Sequence, residues 1–407
     1  MESHRPLVED VETPDTKSVE EGIRFHYDLP PEFFALFLDK ATMSYTCAYF
    51  RDGTDTIDQA QLRKLDLVAR KLDLRPGDRV LDIGVGWGNM AFYAAERGCH
   101  VTGITLAVEQ ARYIEEEAAR RGLGDKIKVI VQEARTLPFE DASFDKVVTI
   151  GASEQMADIA VLFQHVSRVL TPGGLCLQHS ITRSNEPQVL SPELEFMIKH
   201  IFPTGKLKSL GEYATVFEQA DLEVIDVHDM TDHYPLTLLR WLRALEAAGE
   251  EGAAAVGVPG DRYRAQRLFL AGCIVSFTDG HSFLYQELLR KTTPGLHRTP
   301  LAAGRGGLDL PDSSTEPLPS PLLPRPVVSV EVEGGMTMWV DGAESALTAG
   351  EPPSPPDCRI RVSMSTFSRI STGQLDLIDG FLQGLIDVEG DVLAAAQVGS
   401  ALLRLAG

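Results

Sequence analysis

A strand that runs straight into a glycine turn and then into a helix decides the architecture of this chain. The strand is RVLDIG (79 to 84), the turn is Gly84-Val85-Gly86-Trp87-Gly88, and a helical pattern opens near Asn89. Glycines there let the backbone pass close to a ligand, and the free amides at the helix start are available to bond it. The unit repeats in outline. β-Branched runs recur at HVTGIT (100 to 105), IKVIVQE (127 to 133), FDKVVTIG (144 to 151), GLCLQHSIT (174 to 182) and LEVIDVHDM (222 to 230). Helical patterns lie between them: Leu62, Leu65, Ala69 and Leu72 fall at helical spacing, and AVEQARYIEEEAARR is followed by Gly122, a helix-ending residue. Strands alternating with helices predict an α/β fold with a parallel sheet covered on both faces.

The pattern stops near Lys291, where a late segment reads as helical. Residues 292–326 are crowded with Pro, Gly and Ser and read as a linker. Beyond it, VVSVEVEGG and TMWVDG look like strands joined by a Gly-Gly turn. CRIRVSMS follows as a third strand, then helix, strand and helix to the end. Residues 1–18 carry charge and Pro with almost no apolar surface and are expected to be disordered. The expected division is therefore 19–291, a linker at 292–326, and a small α+β domain at 327–407. The two halves are expected to fold separately.

Charge narrows the function classes. The sum of 38 Lys+Arg and 59 Asp+Glu is −21, which repels phosphate backbones and gains nothing overall from anionic lipid headgroups. Nucleic acid is not an expected partner, and membrane contact is peripheral at most, through a basic patch such as Lys199, Lys206 and Lys208. Cys47, Cys99, Cys176, Cys273 and Cys358 form no C-x-x-C pair and fit reduced thiols. With no apolar run of spanning length and a polar, acidic start, a cytoplasmic protein is expected.

A glycine turn alone is shared by many nucleotide-binding folds, and Asp82 just before it could bond either a ligand or the turn's own amides. A dinucleotide site wants an acidic residue closing the second strand, where this chain has Thr105. The stretch QEARTLPFEDASFDKVV resembles the segment that lies against adenine in S-adenosylmethionine methyltransferases. Eight segments then align in order: HYDLPPEFFALFLD (26 to 39), SYTCAYF (44 to 50), VLDIGVGWG (80 to 88), GITLAVEQ (103 to 110), IGASEQ (150 to 155), QHSIT (178 to 182), IFPTGKL (201 to 207) and HYPLTLLRW (233 to 241). Together they resemble the cyclopropane fatty acid and mycolic acid cyclopropane synthases over about 270 residues.

That resemblance implies a Rossmann-like class I methyltransferase with a mostly parallel seven-stranded sheet. It implies S-adenosylmethionine held by Tyr45, Thr46, Asp82, Gly84, Gly86, Trp87, Gly88, Thr105, Leu106, Gln110, Glu133 and Ala134. It also implies a bound bicarbonate as the base, held by the backbones of Cys47 and Ile150 and the side chains of Glu154, His179 and Tyr234. Read on their own, these last three are polar groups at strand ends. A neutral imidazole and a phenol can donate to a carbonate oxygen while a carboxylate accepts from its hydroxyl. Departures touch the substrate: Gln155 follows Glu154 where His is usual, Ser153 stands where an aromatic is common, and FTDG (277 to 280) lacks an arginine. Tyr27, Phe33, Phe34, Tyr49 and Trp241 could face a cation or simply pack.

From Val327 the chain resembles the sterol carrier protein 2 family, a fold that holds acyl chains or sterols, although the module's usual first strand and helix are missing. The implied activity is methyl transfer to an alkene of an apolar acyl, isoprenoid or polyketide substrate, free or carrier-bound, giving a cyclopropane or a C-methylated product. A non-methylating cyclase, or a lipid carrier with a passive methyltransferase scaffold, would share this outline. A homo-oligomer is compatible with it.

Overall fold

The computed structural model describes residues 29–134, 136–156, 158–184, 207–292, 318–342 and 347–402. Tyr27, Lys199, Lys206, the disordered stretch expected at 1–18, most of IFPTGKL and most of the linker lie outside them.

A short helix, α1 (Pro31–Phe34), precedes α2 (Ile57–Lys71). Helix α2 starts at a capping box: Thr56 Oγ1 accepts from the Gln59 amide at 3.2 Å and Gln59 Oε1 accepts from the Thr56 amide at 3.0 Å. Then follow β1 (Arg79–Ile83), α3 (Asn89–Glu96), β2 (His100–Thr105), α4 (Val108–Arg120), β3 (Ile127–Val131), β4 (Phe144–Ile150), a 3₁₀ turn (Ser153–Gln155), α5 (Ile159–Val169) and β5 (Leu170–Arg183). After them come α6 (Leu210–Gln219), β6 (Leu222–Asp229), α7 (His233–Ala255), α8 (Gly260–Thr278) and β7 (Ser282–Lys291).

The seven strands form one sheet in the order β3-β2-β1-β4-β5-β7-β6. β1 to β5 are parallel, and β7 inserts antiparallel between β5 and β6. The strand order therefore reverses between β1 and β4, which opens a crevice at their carboxyl ends. One face is covered by α2, α3 and α4 through Leu65, Val68, Ala91 and Ile114 packed on Val80, Val148 and Leu177. The other is covered by α5 and α6 through Leu162, Phe163, Tyr213 and Phe217 on Leu81, Val147 and Cys176.

Two elements differ from their sequence reading. The late segment read as helical up to Lys291 ends in the strand β7 (Ser282–Lys291). Leu and Glu favour helix, but β7 is buried on both faces between two partners, and that setting overrides propensity. Leu62 is 44% exposed, and the inward face of α2 carries Gln61, Lys64 and Lys71 beside Leu65, Val68 and Leu72.

The C-terminal part adds β8 (Val327–Val332), β9 (Met336–Asp341), β10 (Thr348–Ala349), β11 (Cys358–Val362), α9 (Met364–Ser371), α10 (Leu377–Leu382), β12 (Ile386–Gly390), α11 (Val392–Gln397) and α12 (Gly399–Leu402). Its five strands order as β10-β9-β8-β11-β12, with β8 and β11 parallel. Gly334 and Gly335 make the β8–β9 turn at φ of 103° and 102°, which side-chain-bearing residues rarely adopt. Met364, read as part of the third strand, instead begins α9 after its N-cap Ser363.

Packing divides the chain into two units that do not coincide with the division drawn from the linker. One unit holds Leu38–Tyr234 and Gly280–Leu318, and the other holds Leu29–Phe37, Pro235–Asp279 and Pro319–Gly407. Within the second unit α8 packs on α10 and α11. Arg264 on α8 donates to the Leu382 carbonyl from Nε at 3.0 Å and Nη2 at 2.7 Å. Arg267 reaches the Gly390 carbonyl at 3.3 Å, and Arg243 on α7 pairs with Asp391 at 2.6 Å. In the same unit Phe33, Phe34 and Phe37 pack edge to edge and Phe37 meets Trp241 at 6.5 Å, so Phe33, Phe34 and Trp241 are core aromatics.

Candidate active site

The glycine turn is built as its sequence demands. Gly84, Gly86 and Gly88 have φ of 77°, 53° and 84°, and the Gly84 and Val85 amides both bond the Ile104 carbonyl at 3.0 Å. Each glycine is there for a different reason. A Cβ on Gly84 would stand 2.4 Å from Ala152 Cβ, and one on Gly88 would lie 2.8 Å from Phe92 and 2.9 Å from Ile114. A Cβ on Gly86 would meet no atom within 4 Å. Gly86 therefore borders open space at the start of α3, as a turn would if a ligand has to approach the backbone.

Around this turn the structure gathers most of the expected cofactor residues. Thr105 Oγ1 donates to Gln110 Oε1 at 2.8 Å and accepts from the Ala107 amide at 3.1 Å, which ties the end of β2 to α4. Leu106 lies between them. Glu133 and Ala134 follow the carboxyl end of β3, the edge strand next to β2. Trp87 is 5% exposed and meets Tyr113 of α4 edge-on at 5.5 Å, so its ring packs in the core. Burial pushes the Asp82 carboxyl up to about 7, against the pull of Lys64.

Of the five residues expected around the base, Ile150, Glu154 and His179 lie where β4 ends beside β5. Ile150 is the register partner of His179, and the Gly151 amide donates to the His179 carbonyl at 2.9 Å. The chain then leaves the sheet, and the 3₁₀ turn returns Glu154 so that its Oε1 accepts from the Ile181 amide at 3.5 Å. Glu154 thereby occupies the edge that β4 has vacated. Tyr234 opens α7, next to a turn pinned to β7: Thr231 Oγ1 accepts from the Leu284 amide at 3.1 Å, and Leu284 is the register partner of Ile181. The neighbouring His233 accepts from the Phe50 amide at 3.2 Å and packs on Tyr49, which ties this turn to the segment carrying Tyr45, Thr46 and Cys47.

Electrostatics complete the site. Burial holds the His179 imidazole well below its usual range, with the cations Lys64 and Lys71 adding to the effect, so it is neutral. Gln286 Nε2 lies 3.2 Å from Nδ1, which as placed leaves the ring proton on Nε2, a buried donor without a partner. Burial pushes Glu154 up to about 7, offset by its own amide and that of Ile181, and its Oε2 is buried without a partner. One orphan donor and one orphan acceptor at a sheet edge suit a small ligand that both accepts and donates, as hydrogen carbonate does.

Sequence reasoning missed Lys64, Gln286 and Glu287. Glu287 on β7 is fully buried with neither carboxylate oxygen bonded, and burial together with the neighbouring Glu154 pushes it up to about 8. Only their place on the inward face of a helix or strand marks them, and that needs the register. Among the described residues no cluster of His, Cys, Asp and Glu could hold a metal, and no helix is long and apolar enough to cross a membrane.

Comparison with known proteins agrees with this geometry. The family model for mycolic acid cyclopropane synthetase matches residues 14–287, and that for SCP-2 sterol transfer matches residues 325–403. A probable fatty acid methyltransferase of Pseudomonas putida is 39% identical over 282 residues, covering 68% of this chain and 71% of the relative. Cyclopropane mycolic acid synthase 3 of Mycobacterium tuberculosis is 32% identical, covering 66% of this chain and 96% of its own. A crystal structure of a mycolic acid cyclopropane synthase complexed with S-adenosylhomocysteine and CTAB superposes with a TM-score of 0.62 at 30% identity, over 69% of this chain and all of that one.

Proposed function

Because the chain belongs to the mycolic acid cyclopropane synthetase family, as an S-adenosylmethionine-dependent methyltransferase with a C-terminal SCP2 domain, we propose that it methylates an alkene carbon of an apolar substrate. The product is a cyclopropane or a methyl-branched chain, and bicarbonate is the base. When bound, S-adenosylmethionine supplies the electrophilic methyl group, and bicarbonate supplies the acceptor for the proton that the alkylated alkene must lose. The observation that carries the reading is the pair of orphans, His179 Nε2–H and Glu154 Oε2: both are buried without a partner, His179 is in register with the last residue of β4, and Glu154 is bonded to the Ile181 amide two residues further along β5.

The chain's own groups have separable tasks. Gly84 to Gly88 and the start of α3 offer backbone amides to the cofactor. His179, held neutral, donates without adding a charge that would repel a cationic intermediate. The Glu154 carboxylate would accept a hydrogen bond from the anion's hydroxyl and orient it, and the Tyr234 hydroxyl and the Cys47 and Ile150 backbones would close the cradle. Burial removes competing water, so each hydrogen bond acts in a low dielectric. An apolar substrate is supported by the SCP2 domain and by CTAB in the related synthase. Acyl, isoprenoid and polyketide alkenes all fit this chemistry, and the net charge of −21 favours a substrate outside the anionic bilayer surface, in the cytoplasm.

The test is methyl transfer from labelled S-adenosylmethionine into an apolar product, in wild type, Glu154→Gln and Tyr234→Phe, with bicarbonate added to or stripped from the buffer. Each variant should lose roughly 100-fold or more in turnover while cofactor affinity stays within about threefold. Near-normal turnover in both, or activity indifferent to bicarbonate, would sink the assignment.

A further inference from the structure

Thr46 is gripped from three sides. Lys64 Nζ donates to its hydroxyl at 2.8 Å, and Gln61 Nε2 donates to its carbonyl at 2.8 Å. Its methyl lies so near Gly151 that a Cβ on that glycine would stand 2.6 Å from Thr46 Cγ2. Gln61 and Lys64 are three residues apart on the inward face of α2, and both are fully buried. The segment that carries Tyr45, Thr46 and Cys47 is thus bolted at one point between a helix and the end of β4, where Ile150 lies.

A buried ammonium is costly unless charges answer it. Those within reach of Lys64 are Asp39, Cys47 and Asp82. Asp39 answers it most strongly, and its carboxylate also accepts from the Ser44 amide at 2.8 Å and from the Thr42 amide and hydroxyl at 2.6 and 2.7 Å. Asp82, buried at the end of β1 beside the glycine turn, has Lys64 as its one charged neighbour of consequence. Burial pushes Lys64 down to about 8, so it still carries its charge at neutral pH.

We propose that Lys64 is a positioning residue of the cofactor site, holding Thr46 by hydrogen bond, so that one buried ammonium on α2 fixes the segment at 45–47 against the end of β4. The inference rests on reading Thr46 as a cofactor contact, and it goes beyond that reading by naming what places it. Loss of the ammonium should weaken cofactor binding and leave the methyl-transfer step itself little changed.

The experiment compares full-length wild type, Lys64→Met, Thr46→Val and the double variant by calorimetry with S-adenosylhomocysteine, alongside thermal melts and kinetics at saturating S-adenosylmethionine. Lys64→Met should weaken S-adenosylhomocysteine binding about tenfold or more, the scale of one charge-assisted hydrogen bond. It should raise KM for S-adenosylmethionine similarly and change kcat by less than about threefold. Thr46→Val keeps the methyl against Gly151 and loses only the hydroxyl, so it should weaken binding by a smaller factor. The double variant should bind about as well as Lys64→Met, because the hydroxyl has already lost its donor. Unchanged affinity in a folded Lys64→Met protein overturns the proposal, as do penalties that multiply fully in the double variant. If Lys64→Met does not fold, Thr46→Val decides: weakened binding with an intact melt supports the role, and wild-type affinity overturns it. Calorimetry with S-adenosylhomocysteine needs no alkene, so failure of the proposed methyl acceptor leaves this result readable.

Discussion

Gln286 on β7 stands opposite His179 on β5, and its Nε2 lies 3.2 Å from the imidazole Nδ1. That bond selects the tautomer. With Nδ1 accepting from that amide, the proton sits on Nε2, which is buried without a partner. Gln286→Leu should therefore fold, since leucine fills the same buried position, but free the ring to rotate or switch tautomer. Turnover is expected to fall about tenfold, less than the roughly 100-fold expected for a group that touches the anion directly. Cofactor affinity should not move. NMR of a ¹⁵N-His-labelled protein reads the tautomer directly, and an unaltered Nε2–H population in the variant would contradict this role.

Gly86 and Gly88 make opposite predictions although both have positive φ. Nothing in the protein would touch a side chain on Gly86, so Gly86→Val should lose about 1–2 kcal/mol of stability to its backbone conformation and yet remain folded. Its side chain would fill the open space beside the turn, and if the proposed cofactor site is right, S-adenosylhomocysteine binding should be abolished. Gly88→Ala instead drives a Cβ into Phe92 and Ile114 and should lower the melting temperature. Calorimetry showing unchanged affinity in a folded Gly86→Val protein would remove the turn from the site.

Much of this was legible before the structure. The turn, five parallel strands and the β8–β9 hairpin follow from local chemistry: glycines where φ is positive, β-branched runs of strand length, and turn residues between them. What escaped is long-range. β7 could not be located because SFLYQELLRK carries strong helix formers, and only the gap between β5 and β6 makes it a strand. Lys64 and Lys71 are not singled out: Leu65, Ala69 and Leu72 mark the buried stripe of α2, but nothing local shows that two lysines share it. The partners of His179 and Glu154 lie on other strands, and register is not written in either segment alone.

Glu287 should make stability fall with pH. Its folded carboxyl titrates at about 8 against an ordinary 4.5, so between those values the unfolded chain gives up a proton that the folded chain keeps, and folding weakens as pH rises through the window. The groups that face it electrostatically are Glu154, Lys71, Cys176, Tyr213 and Tyr285. His179, His228 and His233, all held below their usual range, act in the opposite sense, but only below about 6.5. Between pH 6.5 and 8, Asp82 and Glu154, raised to about 7, act in the same sense as Glu287, so its share is read as the difference between wild type and Glu287→Gln. There wild type should lose melting temperature faster than Glu287→Gln, which has no proton to release. Parallel melting curves for the two proteins across that interval would show that Glu287 is not held protonated.

The second unit makes a prediction about truncation. The Pro- and Gly-rich stretch before Val327 invites a cut after Lys291, yet α8 is packed on α10 and α11 of the C-terminal part. Tyr263, Leu270, Ile274 and Phe277 of α8 are buried in the intact chain. Three arginines on α7 and α8 would lose C-terminal partners together: Arg264 its two bonds to the Leu382 carbonyl, Arg267 the Gly390 carbonyl, and Arg243 the carboxylate of Asp391. Removing residues 292–407 should thus uncover apolar surface on α8 and leave Pro235–Asp279 unstable, although the seven-stranded sheet retains its own two cores. The truncated protein is expected to bind a hydrophobic dye, to aggregate on warming, and to show faster amide exchange across α8 than the full chain. Arg264→Ala in the intact chain should reproduce part of this, at a cost of about 1–3 kcal/mol. If instead the piece ending at Lys291 melts at the full-length temperature with α8 equally protected, the C-terminal part is a detachable module, and the boundary lies at the linker after all.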